Sequence, residues 1–229
     1  MNILRNAKRS IIRRLRPPSM VQSRSTRPSS DTWGFDRGRP IDRHYIDRFY
    51  ASHSGDMSGA MLEIQSLVYT GQHGQRATSR DVLDIDPDNE NATVVADLSA
   101  ADSVESDRFD CFLLPQTLHL IFEIRAAIFH AHRILKPGGM LLATAPALSR
   151  VDSGLFTSDY WRLTPASCER LFAERFGADN VIVSSFGNAL SCSAFINGMA
   201  VEEFSASELD PVDSYFPLIM TIRARKAHA

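Results

Sequence analysis

The 229-residue chain carries 25 Lys and Arg against 27 Asp and Glu, a formal charge of −2, and 44% of it is hydrophobic. That is enough apolar material for a core, and it excludes wholesale disorder. No run of about 18 apolar residues is present and the basic start lacks a continuous apolar segment, so neither a membrane span nor a secretory signal is read, and a cytoplasmic location is expected.

The balanced charge hides an asymmetry. Residues 1–30 hold eight basic residues and no acid, leaving 17 basic and 27 acidic groups in the rest, a body at −10. Before Pro17-Pro18, the spacing of Ile3, Leu4, Ala7, Ile11 and Leu15 between basic residues predicts a short amphipathic helix. Its uses stay open: a foot on an anionic membrane surface, a contact with the body or with the second subunit of a homodimer, or a solvated extension. Ser19 to Ser30 reads as a linker. The expected division is therefore a basic extension and linker over 1–30 and one domain over 31–229. A nucleic-acid partner fits the tail but not the acidic body.

Along the body, Pro40 to Ser52 has helical spacing, with Ile41, Tyr45, Ile46 and Phe49 on one side. Short apolar runs follow at Ala60 to Ile64, Asp81 to Asp86, Thr93 to Ala96 and Asp110 to Leu114. A long helix is predicted from about Leu118 to Leu135, stopped by Lys136-Pro137-Gly138-Gly139 ahead of a strand over Met140 to Ala145. Pro165 to Phe176 reads as a helix capped by Thr164, Val181 to Ser185 as a strand, and Leu218 to Ala224 as a last strand whose polar residues suit an edge or antiparallel position. Near-continuous apolar strands alternating with helices mark a buried, mostly parallel sheet, hence an α/β fold. Cys111, Cys168 and Cys192 are odd in number, widely spaced and without a C-x-x-C pair, so no disulfide framework or zinc cluster is indicated and no metal is expected.

The order of these pieces resembles the class I S-adenosylmethionine-dependent methyltransferases, and more narrowly the methyltransferase-like proteins often encoded beside glycosyltransferases. The residues that carry it are Leu62-Glu63-Ile64, Leu83-Asp84-Ile85-Asp86, Ala96-Asp97-Leu98, and the stretch from Phe109-Asp110-Cys111 to Leu135-Lys136-Pro137-Gly138-Gly139. Trp33-Gly34-Phe35-Asp36-Arg37-Gly38 and Asp159-Tyr160-Trp161-Arg162-Leu163-Thr164-Pro165 are similar to the narrower group. The resemblance implies a Rossmann-like fold with a mostly parallel seven-stranded sheet, a late antiparallel strand and helices on both faces, with S-adenosylmethionine as cofactor.

It also implies a site at the carboxyl ends of the strands, beside the point where strand order reverses. Asp84 or Asp86 would accept the ribose hydroxyls, Glu63 would face the cationic methionine end, and Asp97, with Leu98 beside it, would meet the adenine. Gln116 would line the same crevice. One position departs from the family. Gln65 stands where a glycine is expected, because the backbone there approaches the cofactor, and a side chain either fills that space or takes a positive φ. Two outcomes compete: Gln65, Tyr69 and Thr70 help close a working site, or the scaffold has lost its cofactor and serves as a binding or regulatory protein.

Methyl transfer to a hydroxyl is an in-line displacement in which alignment supplies most of the acceleration and a base takes the hydroxyl proton. His119 and Tyr160 are the catalytic candidates, and Trp161 and Arg162 the residues expected to hold the acceptor, with Arg162 suited to a phosphate or carboxylate. The expected reaction is O-methylation of a sugar or small-molecule hydroxyl in glycan or secondary-metabolite biosynthesis.

Overall fold

The structure is a computed structural model that describes Ile11, residues 25–152, Gly154 and residues 157–228. Apart from Ile11, the amphipathic helix expected before Pro17 lies outside the described residues. Two compact units emerge: one takes the described residues up to Ile46 with Leu148–Arg150 and Ser185–Ile219, the other Asp47–Ala147, Val151–Ser184 and the described residues from Met220.

Seven strands form one sheet among the described residues: β1 (Ser58–Ile64), β2 (Arg76–Asp84), β3 (Val94–Val95), β4 (Phe109–Pro115), β5 (Leu135–Pro146), β6 (Val181–Phe186) and β7 (Ile219–Arg225), in the order β3-β2-β1-β4-β5-β7-β6. The pairs β1–β2, β1–β4, β2–β3 and β4–β5 are parallel. β7 runs antiparallel: Gly138 and Gly139 exchange backbone hydrogen bonds with Lys226, and further along Leu148 bonds Leu218. The strand is interior rather than an edge, flanked by β5 and β6, which places the edge at β6. The result is a Rossmann-like α/β fold, with strand order reversing between β1 and β4.

The helices are α1 (Ile41–Ser52), α2 (Val68–His73), α3 (Ile124–Ile134), α4 (Pro165–Phe176), α5 (Ala189–Ile196) and α6 (Ala206–Leu209). Alternation along the strands sorts side chains to two faces. Leu62, Phe112, Leu114, Leu141 and Ala143 join a core cluster with Ala127, Ile128 and Ile134 of α3 and Phe172 of α4. Met61, Cys111, Leu113 and Leu142 are also buried. They alternate with the first set, and Tyr50 of α1 donates to the Leu142 carbonyl at 3.3 Å.

The helix expected as one piece from Leu118 is broken. A 3-10 turn at Leu118–Leu120 precedes α3, and Ile121 is extended. Backbone carbonyls that a continuous helix would bond internally are taken from outside: His119 O accepts Tyr160 N at 2.9 Å and Trp161 N at 3.2 Å, and Ile121 O accepts the Trp161 indole at 3.0 Å. The Lys-Pro-Gly-Gly turn is a bulge inside β5, since Leu135 pairs with Phe109 and Met140 with Cys111, and Gly138 there has φ +80°. The predicted α4 and its Thr164 cap are found, with Thr164 and Ser167 forming a capping box.

In the first unit the Trp33 to Gly38 segment wraps a fully buried Arg37, which forms an ion pair with Glu203, itself 3% exposed. Gly34 has φ +91° and lies against the Met199 carbonyl, where a Cβ would approach to 2.8 Å, so this turn requires glycine. Tyr45 donates to Leu209 O at 2.7 Å.

Candidate cofactor and acceptor site

Every candidate cofactor, catalytic and acceptor residue named from the sequence belongs to the second unit. β1 delivers the first two. Glu63, 1% exposed, is in register with Val82 of β2 and Leu113 of β4. Its two carboxylate oxygens accept the backbone N–H groups of Tyr69 at 2.9 Å and Thr70 at 2.7 Å. This carboxylate satisfies the start of α2, a short helix without a side-chain cap of its own. Burial pushes the Glu63 carboxyl up, against those hydrogen bonds. Tyr69 is buried, its ring 4.4 Å from that of Tyr50, and Thr70 is fully buried. Both side chains are therefore packed in the interior.

Gln65 follows with φ +67°. Its N–H donates to Leu83 O at 2.8 Å and the next N–H, that of Ser66, returns to Ile64 O at 2.7 Å. A glutamine therefore sits at the centre of a three-residue turn with positive φ, the strained form of that turn, on a path that glycine adopts freely.

β2 ends at Asp84, and Asp86 lies in the exposed turn beyond. One oxygen of Asp84 accepts Asp86 N at 3.0 Å; the other accepts the Asn89 side-chain amide at 2.6 Å, which also donates to Gln65 O at 2.8 Å. Asp86 accepts Asp88 N through one oxygen. Asp97 caps the 3-10 turn Leu98–Ala100, its Oδ1 accepting both the N–H and the hydroxyl of Ser99 at 2.8 Å. Leu98 is a core residue.

At the end of β4, Gln116 also has positive φ, +45°, and its N–H donates to Thr144 O at 2.9 Å. The two strands that flank the reversal of order thus both leave the sheet through a left-handed glutamine. The structure brings Glu63, Gln65, Asp84 and Asn89 together, with Asp86 in the adjoining turn and Asp97 after β3. Asn89 and Thr144 escaped the sequence reading; the Asp-Pro-Asp-Asn turn is the one signal that pointed toward the first.

On the far side, His119 keeps a buried Nδ1 with no hydrogen-bond partner among the described residues. Desolvation lowers its pKa to about 4, so the ring is neutral near pH 7. Asp159, with its side chain 3% exposed, grips Arg162 through both oxygens, and the guanidinium holds its carboxyl below the usual range. Tyr160 is exposed and meets Phe122 edge-on at 5.2 Å, while Trp161 stacks on Phe122 at 5.9 Å. No cluster of metal-binding side chains occurs among the described residues.

Residues 47–143 match the family described as methyltransferase domain. A SAM-dependent methyltransferase from Archaeoglobus fulgidus is similar in structure, at 12% identity and TM-score 0.53, over 80% of this chain and 94% of that one. The YcgJ protein from Bacillus subtilis is similar at 13% identity and TM-score 0.51, over 81% and 100%. The N-methyltransferase NodS from Bradyrhizobium japonicum follows at 16% and 0.50, over 82% and 96%. At these identities the likeness is one of fold. No curated protein matches the chain in sequence. The match covers 97 of the 229 residues, and the solved structures show that the chain has the Rossmann-like fold of these methyltransferases.

Proposed function

We propose that the chain is an S-adenosylmethionine-dependent methyltransferase acting on a hydroxyl of a small-molecule or sugar acceptor. The observation that carries this reading is the backbone at Gln65: despite its side chain it keeps the left-handed φ of the glycine that this loop resembles, so the main chain leaves β1 on the path a cofactor requires. The strand-end acids fit the polar parts of the group. Asp84 and Asp86 would accept its ribose hydroxyls and Asp97 its adenine amino group. When bound, the cofactor supplies an electrophilic methyl on a sulfonium. Alignment of the acceptor is then the protein's main task, worth up to about 7–11 kcal/mol. His119, neutral at working pH, accepts a proton only weakly with a pKa of about 4, so it does not serve as a strong base.

A second reading, a scaffold that no longer takes the cofactor, is favoured by one observation: both oxygens of Asp84 already hold protein donors. Incubation of the full chain with methyl-labelled S-adenosylmethionine and a panel of hydroxyl-bearing aromatic and sugar acceptors separates the two. Transfer of label to an acceptor supports the enzyme. Absence of transfer together with absence of cofactor binding moves the second reading to first place.

A further inference from the structure

The segment between β4 and α3 and the start of α4 line an open cleft of about 510 Å³, within the range of small-molecule sites. Its walls are apolar and aromatic, built from Phe122, Trp161, Ile124, Leu163 and Leu171. The polar lining is lopsided: three arginines, Arg125, Arg162 and Arg170, against the single acid Glu123. Two of these arginines have partners. Arg162 is held by Asp159, and Arg125 pairs with Glu174 at the surface, where side-chain exposures of 65% and 40% make the pair weak. Arg170 is exposed and makes no ion pair or hydrogen bond among the described residues. An arginine fork left unused beside an apolar cleft matches a planar anion.

The hydroxyl of Ser167 is spent on Thr164, donating to its carbonyl at 2.9 Å and accepting its N–H at 2.9 Å. The Trp161 indole is committed to Ile121 O at 3.0 Å. A flat ring fits beside the stacked Phe122–Trp161 pair, whose planes lie 25° apart.

We propose that this cleft binds a planar aromatic carboxylate, the ring against Phe122 and Trp161 and the carboxylate on Arg170, and that it is the acceptor subsite of the methyltransferase proposed above, on which reading the acceptor role rests. Calorimetric titration of the full chain with 2-naphthoate and with uncharged 2-naphthamide, no cofactor being present, tests it. The expected result is that naphthoate binds ~10-fold more tightly, that Arg170→Gln erases this preference while leaving naphthamide binding in place, and that Phe122→Ser weakens both ligands. Equal affinity of the two ligands, no binding of either, or an Arg170→Gln variant with unchanged naphthoate affinity overturns the proposal. The outcomes separate from those of the enzyme reading: naphthoate binding without S-adenosylmethionine binding leaves the anion site standing and removes methyl transfer, and the reverse pattern does the opposite.

Discussion

The side-chain amide of Asn89 donates to Asp84 Oδ2 at 2.6 Å, joining the turn after β2 to the carboxylate at that strand's end, and the same amide reaches Gln65 O at 2.8 Å. On the proposed function this clasp lies where ribose hydroxyls would be accepted, and it would take one of the acceptor positions of that oxygen. Asn89→Ala is expected to tighten S-adenosylmethionine binding several-fold while lowering unfolding free energy by about 1 kcal/mol, the usual worth of such hydrogen bonds. Calorimetry and chemical denaturation check the two effects. Looser binding in the variant would make Asn89 a cofactor ligand instead of a competitor.

Gln65 is held at φ +67°, where a non-glycine residue is strained by roughly 1–2 kcal/mol. Gln65→Gly removes that strain and the side chain together, against the entropy a glycine adds to the unfolded chain. The variant should be at least as stable as the parent and bind the cofactor more tightly. A clear fall in melting temperature would show that the Gln65 side chain makes a contact the fold needs.

The imidazole of His119 has its pKa lowered from 6.5 to about 4 by burial. A base whose folded pKa is depressed leaves the unfolded chain holding more protons between those two values, so stability rises with pH across this window and is lost as pH falls from about 6.5 to about 4. His119→Gln should flatten that part of the stability profile. The Asp159–Arg162 pair acts lower down: its carboxyl is depressed from 3.8, so its contribution is present above that value and lost below it, which Asp159→Asn should abolish. Turnover should show no histidine limb between pH 6 and 8. An inflection near pH 6.5 that disappears in His119→Gln would contradict the buried geometry.

In the first unit, Arg37 is fully buried against Glu203. Removal of one partner strands a charge, so Glu203→Ala should cost about 3–5 kcal/mol, whereas replacing both residues with methionine should cost much less. Urea unfolding of the single and double variants measures the difference. Equal losses in both would mean that the pair contributes through packing alone.

Much of this architecture is legible in the sequence because parallel strands buried on both faces must be nearly all apolar: Phe112-Leu113-Leu114 and Leu141-Leu142-Ala143 announce themselves. What stayed hidden depends on partners distant in the chain. α2 is short and polar, and its first N–H groups are satisfied by Glu63, which no local pattern records. The break at Ile121 follows from Trp161 claiming a carbonyl, so an apolar period running through Leu118 to Leu135 gives no warning of it. The last strand's antiparallel direction fits its polar residues, but its interior place follows from pairing on both sides. At the site, the positive φ at Gln65 was one of the two alternatives its sequence position raised, while the Asn89 clasp and the Asp159 grip on Arg162 needed coordinates.

On the proposed function, the crevice at the ends of β1 and β2 takes S-adenosylmethionine although Gln65 stands at the glycine position. Calorimetric titration of the full chain with S-adenosylmethionine and S-adenosylhomocysteine, beside Asp84→Ala and Asp86→Ala, tests it most directly. Micromolar binding of both ligands that is lost in at least one of the variants is the predicted result. No heat and no thermal shift at millimolar ligand, with the protein folded, would contradict it.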